Sequence, residues 1–122
     1  MSCGGTKDLM LLACSGGSNV GQIANDAARS LDSLGQGRMF CAVGVALQME
    51  GFPEAARAAK ARVAIDGCEK GCVRKALEAL AIPVDAQVVV TELGIEKAHR
   101  FDYSPEEVAR VGDAVAKAVV AL

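Results

Sequence analysis

The chain has 122 residues, of which 52% are hydrophobic and only 3% aromatic, so one core built mainly from Ala, Val and Leu is expected and two ordinary domains are not. A formal net charge of −2 supplies no basic footprint for nucleic acid. No apolar run approaches the roughly 18 residues that a membrane span needs. The N-terminus lacks the charged and apolar regions of a signal peptide. We expect a single cytoplasmic domain over residues 1–122, with residues 1–7 flexible.

The first half of the chain alternates strand and helix. The continuous apolar run at 8–14, DLMLLAC, predicts a strand covered on both faces. Apolar residues then recur at helical spacing from Val20 to Leu34, and a glycine follows. RMFCAV, at 38–43, predicts the second strand. The Ala-rich stretch at 44–61 is helical in pattern, with a new helix expected to open at Pro53.

The second half repeats the alternation. RVAID at 62–66 and QVVVT at 87–91 predict the third and fourth strands, and the stretch from Val73 to Leu80 has a helical stripe between them. The last helix opens with a capping box at Ser104, with proline at its first position. This alternation predicts an α/β fold with three αβα layers and a four-stranded parallel sheet. Right-handed crossovers favour the strand order 2-1-3-4, a Rossmann-like or flavodoxin-like arrangement.

Four of the five cysteines follow predicted strands. Cys14 ends the first, Cys41 lies near the end of the second, and Cys68 and Cys72 come just after the third. The carboxyl ends of parallel strands share one edge of the sheet, where open α/β folds place their sites. Cytoplasmic cysteines are more often metal-binding or catalytic than disulfide-bonded. We therefore expect a shared site of four thiols, with small buried hydrophobic residues as the alternative interpretation.

Two of these cysteines are close in sequence. Cys68 and Cys72 form a CxxxC pair, and on a helix this spacing would put both side chains on one face, one turn apart. A position at the N-terminus of that helix would favour the thiolate of Cys68. Cys3 lies ahead of the first strand in a glycine-flanked segment. It is expected to take no part in the site.

The loop at 14–21, CSGGSNVG, joins a strand to a helix start and predicts an anion cradle of main-chain N–H groups. Its candidate residues are Ser15, Gly16, Gly17 and Ser18. A loop of this kind that begins with a cysteine resembles the phosphate-binding loops of low-molecular-weight tyrosine phosphatases and arsenate reductases. However, the phosphatases need an arginine six residues after the cysteine, where this chain has Val20. The alternative is a tight turn in which Ser18 or Asn19 caps the helix.

Other polar residues near this edge have two interpretations each. Asp66 and Gly67, which precede Cys68, are candidates for supporting the thiols, although Asp66 is equally explained as a turn or cap residue. His99, the one histidine, is a candidate acid, base or ligand, or an exposed loop residue. A basic cluster follows Cys68 and consists of Lys70, Arg74 and Lys75. It would either favour the thiolate form of nearby cysteines or form an ordinary solvent-exposed helix face.

The segment DGCEKGC at 66–72, taken with CSGG at 14–17, Cys41 and LGIEK at 93–97, resembles the DGC domain family. These are small prokaryotic proteins named for the central Asp-Gly-Cys motif, and the similarity extends over nearly the whole chain. The resemblance implies a zinc-binding domain with four chelating cysteines, which correspond here to Cys14, Cys41, Cys68 and Cys72. It leaves the biological role undefined.

Three functions are therefore in competition. The first is a metal-binding protein that holds zinc on four thiolates. The second is a thiol redox or sulfur-handling enzyme that uses Cys14 or Cys68 as nucleophile and needs no metal. The third is an iron–sulfur protein, because four cysteines also suit a cluster. The expected partner is a metal ion, with neither nucleic acid nor membrane; whether the chain is an enzyme stays open.

Overall fold

The structure is a computed structural model that describes residues 8–122. Cys3 and the predicted flexibility of residues 1–7 lie outside the described residues. Within residues 8–122, no helix combines the length and the apolar character that crossing a bilayer requires.

Four parallel strands form one sheet: β1 (Leu9–Ala13), β2 (Arg38–Phe40), β3 (Ala61–Asp66) and β4 (Ala86–Val89). Their order is β2-β1-β3-β4, which confirms the predicted topology. Strand β1 is central, and its Leu11 pairs with Met39 of β2 and with Val63 of β3. Because all four strands are parallel, the carboxyl ends of β1, β2 and β3 lie at one edge of the sheet. Cys14, Cys41 and the loop that contains Cys68 follow these strand ends.

Helices cover both faces of the sheet, as a three-layer fold requires. They are α1 (Asn19–Ser33), α2 (Ala42–Ala46), α3 (Phe52–Ala58), α4 (Cys72–Ala79) and α5 (Pro105–Val120). Helices α1 and α5 pack together on one face around a core that includes Leu11 and Ile65. The other three helices cover Leu12 and Ala64 on the opposite face. The capping box at Ser104 is present as predicted.

Two predicted strand ends were wrong, and one of the errors moves a cysteine. Strand β2 ends at Phe40, so Cys41 is the N-cap residue of α2 rather than part of a strand. Helix α4 begins at Cys72, close to the predicted Val73, so Cys68 lies in the preceding loop and the two cysteines do not share a helical face. Strand β4 ends at Val89, and a short 3-10 helix, Val90–Leu93, replaces its predicted last residues.

Candidate functional site

Cys14 follows the central strand directly. Its main-chain N–H donates to the carbonyl of Ile65 at 2.9 Å, so the residue continues the pairing of β1 with β3. The half-buried side chain turns back toward its own loop, where Sγ accepts a hydrogen bond from the N–H of Gly16 at 3.3 Å.

Cys41 leaves the neighbouring strand at the same edge. The last β1–β2 pair is Leu12 with Phe40, so Cys41 stands one step beyond that pair and Cys14 two steps beyond Leu12. Neighbouring strands lie about 4.8 Å apart, which brings these two cysteine backbones close together. The Cys41 side chain is exposed, and its Sγ accepts the N–H of Gly44 at 3.3 Å in the N-cap position of α2.

Cys72 is the first residue of α4, and Asp66 determines where that helix starts. One Asp66 carboxylate oxygen accepts the N–H of Val73 at 2.8 Å, and the other accepts the Gln87 side-chain amide at 3.1 Å. Asp66 is 1% exposed. Gly71, with φ of +60°, turns the chain into the helix. The cap interpretation of Asp66 is thus confirmed, and the cap leaves Cys72 exposed at the sheet edge.

Cys14, Cys41 and Cys72 line one cleft of about 580 Å³. Ser15, Gly16 and Asn25 also line the cleft. The remaining lining residues are apolar: Ala13, Met39, Phe40, Ala42, Val43, Ala46, Val73 and Ala76. Among the described residues that line it, the three thiols are the only ionisable groups. All four described cysteines carry free thiols. We call this space the cysteine cleft.

Cys68 stands apart from the other three cysteines. It does not line the cysteine cleft, and its half-buried side chain packs against the core beneath α1 and α5. The Lys97 ammonium donates to its sulfur at 3.5 Å. The predicted basic cluster makes no such contact, since the Arg74 side chain bonds instead to Glu78 and Gln87. Sequence reasoning missed Lys97 because it comes from a loop 29 residues further along the chain.

The loop that carries Lys97 is fastened to the start of α1 by Asn19, a buried residue that sequence reasoning considered only as a helix cap. The Asn19 side-chain amide donates to the carbonyl of Glu96 at 2.8 Å, and its oxygen accepts the N–H of Ala98 at 2.7 Å. His99 adds a third tie, with Nδ1 2.9 Å from the carbonyl oxygen of Gly17. His99 is exposed and does not line the cysteine cleft. It therefore connects two loops at this edge.

The loop at 14–18 is a tight turn packed on α1. Ser18 caps the helix by accepting the N–H of Gly21 at 3.1 Å, which confirms the cap alternative. The carbonyl of Gly16 accepts the N–H of Ser18 and the side-chain amide of Gln22. Ser15, Gly16 and Gly17 are exposed. Their predicted role in holding an anion stays a prediction.

The four cysteines suit a thiophilic metal by donor type, since zinc and other soft ions prefer sulfur. Their positions suit it less well. Within residues 8–122, no group of three or more His, Cys, Asp or Glu side chains is arranged to hold a metal ion. The cysteines therefore fit the metal by donor type, but Cys14, Cys41 and Cys72 line one cleft without converging on a common point, and Cys68 lies outside that cleft.

Residues 10–115 match the family model described as the DGC domain, which confirms the resemblance. A relative, the anaerobic and virulence modulator AnvM of Pseudomonas aeruginosa, is 31% identical over 102 residues, which cover 84% of this chain and 78% of AnvM. No solved structure matches the chain.

Proposed function

The chain belongs to the DGC domain family, and we propose that it is a metal-binding protein whose cysteines take up a thiophilic ion, zinc in the first place. One observation carries the proposal: Cys14, Cys41 and Cys72 come from three separate segments and line one cleft. Three soft donors that gather from distant parts of a sequence make a sulfur-rich site, and zinc is commonly bound by thiolates alone.

A four-thiolate site also needs Cys68. That residue lies in the loop between β3 and α4, beside Lys97 and outside the cleft. Metal binding must then be coupled to a change in this loop, in which Cys68 gives up its contact with Lys97. Coupling between metal binding and local folding is common, because ligands rarely stand fully converged before the metal arrives. Bound zinc would supply cross-links between the loops at the sheet edge.

The test is metal content and thiol protection in full-length protein purified without oxygen or chelator. We expect about one zinc per chain, the stoichiometry of a single tetrahedral site. Cys14→Ser and Cys68→Ser should each release the metal and lower the melting temperature, while Cys3→Ser, in the segment ahead of β1, should do neither. Full metal content in Cys14→Ser and Cys68→Ser would contradict the four-thiolate site. Iron with matching sulfide would identify the iron–sulfur alternative instead.

A thiol redox protein is the second candidate. It is favoured by the placement of Cys14 and Cys41, which follow neighbouring paired strands, line the same cleft and carry free thiols. Each sulfur also accepts a main-chain N–H. In this function the two thiols give up two protons and two electrons to a disulfide oxidant and form one disulfide. Treatment with a small disulfide followed by peptide mapping should then show a reversible Cys14–Cys41 bond in metal-free protein.

Both candidates suit a regulatory role in the cytoplasm, where thiols stay reduced. The relative AnvM is named as an anaerobic and virulence modulator. Thiols that become oxidised change state with oxygen supply, and oxidation of a thiolate ligand also releases a bound metal. Such a change can be transmitted by the loops that carry the thiols. We propose that this chain reports metal or redox state in this way, through the site at the sheet edge.

A further inference from the structure

We infer that the cysteine cleft also accepts an uncharged, apolar organic molecule that reacts with its thiols, and that small organic disulfides are the class of ligand it takes. This goes beyond metal binding, because it assigns the cleft a molecular substrate of a particular size and polarity.

The size of the cleft is the first argument. Its volume is about 580 Å³, within the range of roughly 300–1,000 Å³ that is typical of small-molecule sites. A metal ion held at about 2.3 Å from thiolate sulfurs needs only the space between those sulfurs. Much of the cleft is therefore left over, and apolar side chains such as Phe40, Val43 and Ala46 line it.

The polarity of the walls is the second argument. No Asp, Glu, Lys, Arg or His is among the described residues that line the cleft. A charged ligand would find no ion partner there, whereas an uncharged apolar ligand gains by covering the exposed apolar walls, of which Val43 is 66% exposed. The hydroxyl of Ser15 and the amide of Asn25 remain as polar groups that could orient it. The ligand class is therefore neutral.

The thiols define the chemistry. In the reaction, a Cys14 or Cys41 thiolate attacks one sulfur of the ligand disulfide, the ligand S–S bond breaks, and its other half leaves as a thiolate. A new disulfide joins protein and ligand, and the ligand disulfide is itself the oxidant, so the electrons balance. The neighbouring cysteine then displaces the bound half by the same exchange. The N–H of Gly16 donates a hydrogen bond to the sulfur of Cys14, and the N–H of Gly44 donates one to the sulfur of Cys41.

Cys68 provides an internal reference in the same chain. It lies outside the cleft, and the cation of Lys97 is 3.5 Å from its sulfur. An anionic disulfide should therefore prefer Cys68, and a neutral one should prefer the cysteines of the cleft. Comparing two probes at each site separates this polarity effect from simple differences in exposure.

The experiment uses the reduced, chelator-treated full chain with neutral 4,4′-dithiodipyridine and dianionic 5,5′-dithiobis(2-nitrobenzoate). Each rate is divided by that of the same probe with glutathione, and the modified cysteine is identified by peptide mapping. We expect the neutral-to-anionic rate ratio to be about tenfold higher at Cys14 and Cys41 than at Cys68, a factor that corresponds to ~1.4 kcal/mol. Equal ratios at the two sites would overturn the inference.

A matched pair of variants on α2 and its C-cap tests the cleft itself. Val43 lines the cleft and is 66% exposed, whereas Leu47 is 69% exposed and does not line it. Val43→Asp should slow the neutral probe at Cys14 and Cys41 several-fold, and Leu47→Asp should leave the rate unchanged. Equal rates in both variants would show that the cleft does not bind the probe. Metal content is measured separately, so failure here leaves the metal proposal standing, and the reverse also holds.

Discussion

Gly67 lies directly against the backbone of Gly21: a methyl group built on Gly67 would stand 3.0 Å from the Gly21 nitrogen and 3.1 Å from the carbonyl carbon of Val20. This contact lets the loop after β3 pack on the first turn of α1. The preceding residue, Asp66, caps α4, and the following residue, Cys68, faces Lys97. The three residues of the Asp-Gly-Cys motif thus connect two helix starts and one thiol at the same sheet edge.

Gly67→Ala should destabilise the protein by about 1–3 kcal/mol, the usual cost of overpacking a close contact that the backbone cannot relieve easily. The measurement is the free energy of unfolding from denaturant titration. Gly112→Ala is the control, since a methyl group there meets nothing within 4 Å in the middle of α5. That substitution should stabilise by about 0.5–1 kcal/mol. Similar effects of the two substitutions would show that the Gly67 contact is unimportant.

Asp66→Ala should lower the free energy of unfolding by about 1–2 kcal/mol, because it removes the cap of α4 and leaves the N–H of Val73 without its acceptor. Thermal unfolding followed by circular dichroism gives the difference. Asp102→Ala is the matched control, because Asp102 is exposed and, among residues 8–122, its ion pair is with exposed Arg100. Its effect should stay within about 0.5 kcal/mol. A loss at Asp66 no larger than at Asp102 would contradict the capping role.

The sheet order and both helical layers could be predicted from sequence, because buried parallel strands appear as continuous apolar runs and their crossovers have one hand. The separation of Cys68 from Cys72 could not be predicted from sequence. Spacing alone allows a shared helical face, but Asp66 and the left-handed Gly71 delay the start of α4 until Cys72. A cap is visible in sequence only once the helix start is known, so the CxxxC spacing alone could not show that Cys68 lies outside the helix.

The contacts of Asn19 and Lys97 also could not be predicted from local sequence patterns. Asn19 bonds to residues 77 and 79 positions further on, and Lys97 reaches back 29 positions to Cys68. Both residues lie in segments that carry sequence signals, CSGGSNVG and LGIEK, but the loop around Lys97 has no regular structure that would predict the direction of its side chain. Tertiary packing of the loop at 94–100 determines both contacts.

Arg62 fastens the opposite end of β3 and should be among the most sensitive charged residues. It is 5% exposed, and its guanidinium donates to the carbonyls of Pro83, Ala56 and Ala59 and pairs with Asp85 at 2.9 Å. Arg62→Met removes every one of these donors and leaves the buried carbonyl of Ala56 unpaired, while the exposed Pro83 and Asp85 can turn to water. We expect a loss of about 1–3 kcal/mol in the free energy of unfolding.

Arg29→Met is the control for Arg62. Arg29 is exposed and pairs only with Asp26 on the surface of α1, so its replacement should cost less than about 1 kcal/mol. Denaturant unfolding of the two variants gives the comparison. Equal losses would mean that the Arg62 contacts add nothing beyond those of an exposed ion pair.

Tyr103 connects the start of α5 to α1 through a hydrogen bond from its hydroxyl to the carboxylate of Asp26. This bond is the main reason why the pKa of Tyr103 is raised above its ordinary value of 10.0, with desolvation and the negative charge of Asp26 adding to it. The folded state therefore keeps the proton longer than the unfolded state does. Stability from this group is complete below pH 10 and is lost as the pH rises through the pKa of the folded protein.

An alkaline titration followed by ultraviolet absorbance reads this group directly, because the chain has one tyrosine and no tryptophan. Asp26→Asn should move the transition of Tyr103 down toward 10, since the charged acceptor is gone and the hydroxyl loses its strongest partner. Tyr103→Phe should remove the phenolate signal and also the part of the stability loss that begins near pH 10. An unchanged transition in Asp26→Asn would show that burial, rather than the carboxylate, raises the pKa of Tyr103.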